Sequence, residues 1–333
     1  MKKILIIRFS SIGDIVLTSP VIRCLKNQLP DTELHFLVKK SFASVVHNNP
    51  YLTKVWELND DFKDLMKELK KEGFDQIIDL HKNLRSEKVK RNLKIPSYTF
   101  DKLNIEKWLL TNFKVDKLPK KHIIHRYFKA VQHLNVSYDG NGLDFFIQDK
   151  NHYDLSNFPI EIQNGYYVLV IGAAHVTKAP TLELCINIIK KIKQPFILIG
   201  GKEDVDKAKK IEKEFKETKL INLVGKTNLE QSASVILQSK LVVTPDTGMM
   251  HIAAALNKPI VAIWGNTVPK FGMGPFYPEN NKLSKNIEVK GLSCRPCSKI
   301  GFDKCPKKHF KCIQNISVEE IKDAAKNLRL NIQ

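Results

Sequence analysis

One acidic residue near the start of the chain has the position expected of a general base. The apolar run Ile4–Ile7 is followed shortly by the loop Ser11-Ile12-Gly13-Asp14, where an amphipathic stretch begins. In open parallel sheets, ligands bind beyond the carboxyl ends of the strands, and a glycine lets the backbone approach a ligand closely. The carboxylate of Asp14 can there remove a proton from a hydroxyl group. Because Asp also caps helices often, a capping role alone stays open.

A second strand-to-helix junction has the residue types of a phosphate-binding loop. The apolar run Leu241–Val243 leads into Asp246, Thr247 and Gly248, and an apolar helical pattern continues beyond His251. Backbone amides at the start of a helix bind phosphate groups. His251 lies four residues after Thr247, on the same helical face, and can therefore reach the same anion. A capped helix with a surface histidine is the alternative.

Charged residues follow two other strand patterns in the same half of the chain. Lys178, preceded by Thr177, comes after the run Tyr167–Ile171. An ammonium group there can neutralise the charge that builds on a departing phosphate, and we assign Thr177 to the same donor site. Glu203 follows the run Phe196–Ile199, where an acidic residue can bind ribose hydroxyls. Lys178 and Glu203 can instead be solvated surface charges.

Basic residues are crowded between positions 82 and 94, after an apolar run that ends at Leu80. Arg85 belongs to this segment, and His122 with Arg126 forms a second basic pair at helical i, i+4 spacing. Such groups bind carboxylates and phosphates, so an acidic acceptor can dock here. The simpler interpretation is a solvated basic surface.

Four of the six cysteines lie close together near the end of the chain, at Cys294, Cys297, Cys305 and Cys312, with His309 among them. These are ligand types suited to zinc, although the second pair lacks the tight spacing of a zinc knuckle. A structural zinc ion and free thiols in a loop both remain open. An Asp-x-Asp pair near position 205 opens a helical pattern, where the helix dipole explains acidic residues, so we predict no catalytic metal.

Apolar runs alternate with longer amphipathic stretches along the chain, which predicts strand-helix units around parallel sheets. The predicted strands are Ile4–Ile7, Leu34–Val38, Gln76–Leu80, Tyr167–Ile171, Phe196–Ile199, Leu241–Val243 and Ile260–Trp264. The pattern lapses between Val136 and Gly165, which indicates a domain junction. We therefore predict an α/β fold of two doubly wound domains, at 1–155 and 165–316, facing each other across a cleft. A C-terminal helix within 317–333 is expected to pack back on the N-terminal domain.

The composition limits the class of protein further. With 333 residues, 43% of them apolar, the chain is large enough for two packed cores in a soluble protein. Its longest stretch without Asp, Glu, Lys or Arg runs for sixteen residues from Ile162 to Thr177 and is too polar for a membrane span. The first apolar run is too short for a signal peptide, and the scattered cysteines suit a reducing compartment. We therefore expect a cytoplasmic protein.

With these residues in place, the chain resembles the bacterial lipopolysaccharide heptosyltransferases, the ADP-heptose family of glycosyltransferases known as glycosyltransferase family nine. The likeness covers nearly the whole length. Its most specific pieces are segment 7–20, with the sequence IRFSSIGDIVLTSP, the PDTG motif at 245–248 with HIAAAL at 251–256, and the cysteine cluster at 294–312. The resemblance implies the GT-B architecture of two Rossmann-like halves, the first binding mainly the acceptor and the second the nucleotide sugar.

The resemblance also implies a role for each candidate residue. It makes Asp14 the catalytic base, in a cleft loop with Ser11 and Gly13, and Lys178 the phosphate partner. Glu203 then contacts the ribose, and the donor loop consists of Asp246, Thr247, Gly248 and His251. The positions similar to acceptor-facing ones are Asn83, Arg85, His122 and Arg126.

The implied reaction is inverting, metal-independent and free of any cofactor besides its nucleotide-sugar co-substrate, ADP-heptose. The implied acceptor is an anionic lipid-linked sugar of the lipopolysaccharide inner core, lipid A carrying Kdo or heptose. The enzyme then works at the cytoplasmic face of the inner membrane as a peripheral protein.

The formal net charge of +19 fits an anionic acceptor at a membrane face, but it also fits other polyanions. One alternative is a related glycosyltransferase that uses another nucleotide sugar or acceptor, and another is a catalytically silent scaffold that binds nucleotide sugars. A nucleic-acid-binding protein is a further alternative. The basic segment at 82–94 contains no aromatic residue on which bases can stack, so we expect no nucleic-acid partner.

Overall fold

The computed structural model describes residues 2–215, 219–279 and 281–330. These residues form two compact units. The first unit contains the described residues up to Leu103 together with Lys121–Phe146, and the second contains Asn104–Lys120 and the described residues from Ile147 onward. The chain therefore leaves the first unit at about the predicted junction, but it also contributes one earlier segment to the second unit.

The first unit is built on a parallel sheet of five strands in the order β3-β2-β1-β4-β5. The strands are β1 (Lys2–Ile7), β2 (Thr32–Lys39), β3 (Lys54–Leu58), β4 (Gln76–Asp79) and β5 (Ser97–Thr99). The helices of this unit are α1 (Ile12–Val16), α2 (Ser19–Gln28), α3 (Phe62–Glu72), α4 (Leu84–Leu93) and α6 (Ile123–Tyr127), while α5 (Asn104–Phe113) belongs to the second unit. The central strands are continuous apolar runs because helices cover both faces of a parallel sheet.

The second unit is built on a parallel sheet of six strands in the order β11-β10-β9-β6-β7-β8. The strands are β6 (Tyr167–Val170), β7 (Phe196–Ile199), β8 (Leu220–Asn222), β9 (Leu241–Pro245), β10 (Ile260–Trp264) and β11 (Ser284–Glu288). The remaining helices are α7 (Ile160–Gln163), α8 (Leu182–Ile192), α9 (Val205–Glu212), α10 (Leu229–Gln238), α11 (Gly248–Ala255), α12 (Lys311–Gln314) and α13 (Val318–Leu330). All seven predicted strands are present in the two sheets.

The strand order of each sheet identifies where ligands bind. In the first sheet the order reverses between β1 and β4, and in the second sheet it reverses between β6 and β9. At such a switch point, the loops that follow the two neighbouring strands diverge and leave a crevice. The loop before Asp14 follows β1, and the loops that carry Lys178 and Asp246 follow β6 and β9. Asp14, Lys178 and Asp246 therefore lie at the switch points.

The C-terminal helix packs within the second unit, which differs from the expected packing on the N-terminal domain. Helix α13 contacts α8, β10 and β11. Its apolar residues Ile321 and Leu328 are buried in the core of the second unit. The spacing of apolar residues predicts the helix correctly, but it does not tell which sheet the apolar face covers. No helix of the described residues has the length and apolar character needed to cross a membrane.

Candidate functional site

An ion pair between Lys178 and Asp246 lies at the switch point of the second sheet. The Lys178 Nζ atom is 2.8 Å from Asp246 Oδ2, and both side chains are mostly buried. Thr267, in the loop after β10, donates its hydroxyl hydrogen to the same carboxylate oxygen at 2.8 Å. Two residues that the sequence placed at separate strand ends are therefore neighbours, because β6 and β9 pair side by side.

Arg295, which lies inside the cysteine segment, fixes the loop that carries Thr267. The Arg295 guanidinium donates to the carbonyl oxygens of Gly265 at 2.5 Å and Thr267 at 2.8 Å, and it pairs with Glu288 at 2.8 Å. Sequence reasoning missed both Arg295 and Thr267. The signal for Thr267 was its place just after the strand pattern that ends at Trp264.

Helix α11 begins in this loop with amides that its N-terminal residue does not cap. Thr247 is the N-cap residue, yet its side chain makes no capping hydrogen bond, and its Oγ1 atom lies 3.4 Å from Thr244 Oγ1. Gly248 is the first residue of the helix, so this position adds no side chain to the first turn. First-turn amides of this kind bind anions. His251, on the same helix, is buried, which excludes the alternative of a surface histidine.

Glu203 lies in a short 3₁₀ turn, Lys202–Asp204, after β7. The Glu203 side chain folds back over Gly201, where a Cβ atom would lie 2.3 Å from its carboxylate and would displace this flexible side chain. Glu203 is exposed and open to a ligand, whereas Asp204 is half-buried and accepts a hydrogen bond from the Gly201 amide at 3.1 Å. Burial raises the pKa of Asp204, although Lys207 opposes the shift. Asp204 therefore has the helix-start role expected of it.

Thr177 uses its hydroxyl group within the protein. The hydroxyl donates to the Phe302 carbonyl at 3.0 Å and accepts from the Phe302 amide at 2.8 Å. The Thr177 amide donates to the same carbonyl at 3.1 Å. Thr177 thus fixes the segment around Phe302 beside the loop that carries Lys178. Its role in donor binding stays a prediction.

Asp14 in the first unit makes both a helix-capping contact and an ion pair. It is the third residue of α1, and its Oδ2 atom accepts hydrogen bonds from the Ser11 amide at 3.3 Å and hydroxyl at 2.8 Å. Its Oδ1 atom lies 2.6 Å from Arg8 Nη2. Gly13 is buried in the same turn. Each carboxylate oxygen has two lone pairs, so these contacts hold Asp14 in place without excluding a further hydrogen bond from a substrate hydroxyl.

Arg8 is the buried cation that orients Asp14. Its guanidinium donates to the carbonyl oxygens of Leu80 at 2.5 Å and Ser10 at 2.8 Å. Burial acts to lower the pKa of Arg8, but the negative charges of Asp14 and Asp79 outweigh it and raise the pKa overall. A guanidinium bound on several sides is a rigid partner, so it fixes the position of the carboxylate.

Two more polar residues, His81 and Tyr127, lie near Arg8. His81 follows β4, and its ring makes an edge contact with Phe9 at 5.1 Å between centroids. The His81 Nδ1 atom and the Tyr127 hydroxyl are buried without a hydrogen-bond partner in the structure. Buried polar atoms in native proteins are nearly always paired, so such atoms near a candidate base indicate a ligand site. Neither residue has a sequence signal beyond the position of His81 after a strand.

The surroundings of His81 keep its imidazole neutral. Burial lowers the pKa of His81 to about 4, and the positive charges of Arg8 and Lys102 add to the shift, against Asp79 and Asp14. Burial also raises the pKa of Tyr127 to about 12. At neutral pH both side chains are therefore uncharged and able to exchange hydrogen bonds with hydroxyl groups of a ligand.

We expect His81 to make the protein less stable as the pH falls from about 6.5 to about 4, because the unfolded chain then binds a proton that the folded protein does not. The variant His81→Gln removes this part of the pH dependence. The check is the urea midpoint of the wild type and the variant at pH 7 and pH 5, with His47→Gln, an exposed histidine, as the control. An identical loss of stability in wild type and His81→Gln contradicts the assigned environment.

The predicted acceptor residues divide into an exposed group and a structural group. Arg85 is exposed, and Asn83, also exposed, caps α4 by accepting the Ser86 amide hydrogen at 2.9 Å. His122 caps α6 through its Nδ1 atom. Arg126 is buried and donates to the Asp101 carbonyl at 3.3 Å. The i, i+4 spacing therefore does not produce a pair of surface cations, because the helix turns Arg126 inward.

The six cysteines are free thiols, and Cys294 Sγ lies 3.7 Å from His309 Nε2. Burial and the neighbouring thiols of Cys294 and Cys305 raise the pKa of Cys297. Four backbone amides between Lys307 and Phe310 lower the pKa of Cys305, against the effect of burial. These thiols therefore lie near one another. The described residues contain one set of three possible metal ligands whose ligand atoms all lie within 4.8 Å of one another, and no cysteine belongs to it. Zinc at the four cysteines stays a prediction.

That one set consists of Glu33, His35 and Glu72, and its contacts do not suit a metal ion. The Lys3 ammonium already lies 3.5 Å from Glu33 and 2.8 Å from Glu72. The Trp56 indole donates to His35 Nδ1 at 3.0 Å, so the other ring nitrogen carries the proton of the neutral imidazole. The Lys3 ammonium therefore already supplies the positive charge that a metal ion would bring to these carboxylates.

Comparisons with known proteins agree with this architecture. A family model described as glycosyltransferase family 9 (heptosyltransferase) matches residues 62–302, well over half of the chain. The lipopolysaccharide heptosyltransferase 1 of Campylobacter coli is 27% identical over 288 residues, which cover 80% of this chain and 84% of the relative. The structure of E. coli ADP-heptose lps heptosyltransferase II superposes with a TM-score of 0.72 at 19% identity and covers 99% of both chains. The structure of E. coli heptosyltransferase WaaC with ADP has a TM-score of 0.68 at 19% identity and covers 98% of this chain and 99% of that one.

These structural neighbours confirm the predicted α/β fold class, GT-B, with a parallel sheet in each unit. The family match covers the Lys178 and Asp246 strand ends and the acceptor-side segment around Arg85. The chain is therefore a glycosyltransferase and belongs to glycosyltransferase family 9, the heptosyltransferase family.

Proposed function

We propose that the protein transfers a heptose from ADP-heptose to a sugar of the lipopolysaccharide inner core, with inversion at the anomeric carbon and without a metal ion. The observation that carries the proposal is the Lys178–Asp246 pair at the switch point of the second sheet, next to the uncapped start of α11. A cation and free helix-start amides at a switch point are the features that bind a nucleotide diphosphate.

In the proposed reaction the second unit holds the donor. The first-turn amides of α11 bind the diphosphate, Lys178 faces the phosphate that leaves with ADP, and Glu203 binds the ribose hydroxyls. Asp246 orients the Lys178 ammonium, since its carboxylate is itself held by Thr267. One of the two E. coli proteins is an ADP-heptose lps heptosyltransferase and the other was solved with ADP, which supports an adenosine diphosphate donor here.

The first unit supplies the base. Asp14 accepts the proton of an acceptor hydroxyl while that oxygen attacks the anomeric carbon, and the bond between this carbon and the ADP oxygen breaks. Arg8 and Ser11 fix the carboxylate for this step. His81, which is partly exposed, adds a neutral hydrogen-bonding group near the base, and we propose that it binds a hydroxyl group of the acceptor. A single displacement of this kind inverts the configuration of the transferred sugar.

The proposed independence of a metal ion follows from the occupants of the donor loop. Lys178 supplies the positive charge that a divalent cation otherwise brings to a leaving diphosphate. The Asp246 carboxylate, the natural metal ligand in this loop, is bound to Lys178 and Thr267. The reaction therefore has its counter-charge within the protein.

We propose an anionic, lipid-linked acceptor, lipid A carrying Kdo or heptose, met at the cytoplasmic face of the inner membrane by a peripheral enzyme. The name of the Campylobacter coli relative supports a lipopolysaccharide acceptor. The net charge of +19 favours such a polyanion, and the exposed Arg85 offers it one cation.

The proposal is tested by incubating the purified protein with a panel of nucleotide sugars and two truncated lipopolysaccharides, one without heptose and one whose core ends at the first heptose. We expect ADP-heptose to add the mass of one heptose to the acceptor and to release one ADP per transfer. Transfer only from a uridine or guanosine diphosphate sugar would refute the proposed donor, and binding of donors without any transfer would leave a scaffold as the function.

A further inference from the structure

An exposed apolar and basic surface lies on α5 and the segment that follows it. Four large apolar side chains are exposed there, namely Ile105 at 71%, Trp108 at 54%, Phe113 at 60% and Val115 at 43%. The Trp108 and Phe113 rings contact each other edge to face at 5.0 Å between centroids. We call these four residues, with the lysines that follow them, the α5 surface. Large apolar side chains that gather on one exposed surface mark an interaction site.

The α5 surface is presented by a helix that is firmly attached on its other side. Leu110 packs against Val268 and Phe271 in a separate apolar cluster of the second unit. The Lys114 ammonium binds the Thr111 and Pro296 carbonyls, each at 2.7 Å, and thereby joins the end of α5 to the cysteine segment. The exposure of the aromatic rings is therefore a property of a docked helix.

The charge around the apolar residues identifies the occupant. Lys117 and Lys120 are exposed in the segment that follows α5. Asp116, the acidic residue among them, is paired with Lys270 at 3.0 Å, and that pairing lowers the pKa of Asp116. Exposed Trp and Phe beside lysines are typical of proteins that insert apolar side chains into a bilayer interface while cations contact anionic headgroups. Protein interfaces, by contrast, are depleted of lysine.

We propose that the α5 surface docks the protein on an anionic lipid bilayer, with Trp108 and Phe113 inserted at the interface and Lys117 and Lys120 on the headgroups. The inference deepens the proposed function, because a peripheral enzyme with a lipid-linked acceptor needs such a contact. Binding to plain phospholipid, however, requires neither donor nor acceptor. A failure of bilayer binding is therefore distinguishable from a failure of sugar transfer.

The three tryptophans of the chain make the test direct. Trp56 and Trp264 are buried, so Trp108 is the exposed member of the three. Titration with vesicles of phosphatidylglycerol and phosphatidylcholine is expected to shift the tryptophan fluorescence of the full protein to the blue. Brominated lipids are expected to quench the shifted signal. Vesicles of phosphatidylcholine alone are expected to bind far more weakly, since each lysine near an anionic surface contributes about 1 kcal/mol.

Two sets of substitutions test the two parts of the surface. Replacing Lys117 and Lys120 with Gln is expected to lower the vesicle partition coefficient on the order of 30-fold, which is the fold-change of about two such contacts. Trp108→Ser combined with Phe113→Ser is expected to lower it at least about tenfold, measured by co-sedimentation with vesicles. Ile160→Ser, an exposed apolar residue of the second unit outside this surface, is the matched control and is expected to bind like the wild type.

Three results overturn the inference. One is equal binding of wild type and the Trp108→Ser, Phe113→Ser variant to anionic vesicles. Another is the absence of vesicle binding by a wild-type protein that still transfers sugar to a soluble acceptor fragment. The third is a dimer in sedimentation equilibrium that these two substitutions dissociate, because a second copy of the chain then occupies the surface.

Discussion

The variant Asp14→Asn is expected to retain donor binding and to lose turnover by about 10²–10⁴-fold. Asn keeps the shape of the side chain, and its amide oxygen can still accept the hydrogen bonds that Ser11 donates to Asp14, so the start of α1 is expected to be preserved. It cannot accept the proton of the acceptor hydroxyl. The measurement is kcat from ADP release at saturating donor and acceptor, together with the Kd for ADP from calorimetry.

The control for this variant is Asp61→Asn, because Asp61 also caps a helix, accepting the Asp64 amide hydrogen at 3.0 Å. It is expected to keep wild-type turnover. If Asp14→Asn turns over like the wild type, Asp14 is only a capping residue. If its Kd for ADP rises in parallel with the loss of kcat, the variant has lost its structure and not its base.

Lys178→Ala is expected to lower kcat by about 10²–10³-fold, because the cation that stabilises the leaving diphosphate is gone. The Asp246 carboxylate also loses its partner and is left mostly buried beside the phosphates, so the Kd for ADP is expected to rise as well. The measurements are kcat at saturating ADP-heptose and calorimetry with ADP. The loss of kcat comes from the missing cation, whereas the rise in Kd comes in part from the uncompensated Asp246 carboxylate beside the phosphates.

Lys270→Ala is the matched control, since Lys270 is an exposed lysine of the same unit and is likewise paired with an aspartate. It is expected to leave kcat and the Kd for ADP unchanged. The double variant Lys178→Ala, Asp246→Asn removes the unpaired carboxylate and is expected to recover part of the ADP affinity but not kcat. Full recovery of kcat in the double variant contradicts a direct role of Lys178 in the reaction.

The fold could be predicted from the sequence because the central strands are uninterrupted apolar runs. Four strands carry no such signal. All three residues of β5 are exposed, β11 buries only one of its five residues, and β3 and β8 mix polar with apolar positions. These short strands lie at or next to the edges of their sheets, where burial on both faces is not required.

The candidate site was predicted in its residue types but not in its contacts. Lys178 and Asp246 were found because each follows a strand, yet the pairing of β6 with β9 depends on strand order, which one sequence does not reveal. Arg8 was not singled out, because a charged residue after a strand is usually exposed on the surface. In the structure Arg8 is buried and paired with Asp14. Arg126 shows the opposite error. It was expected to be exposed as one member of a basic pair at i, i+4 spacing, but the helix turns its side chain into the core.

The most direct test of the account is the configuration of the transferred sugar, determined by NMR spectroscopy on the product made by the wild-type protein from ADP-heptose. Attack by an oxygen that Asp14 deprotonates, with ADP leaving from the opposite side, predicts a product whose anomeric configuration is the inverse of the donor's. A product with retained configuration would contradict the single displacement and, with it, the assigned role of Asp14.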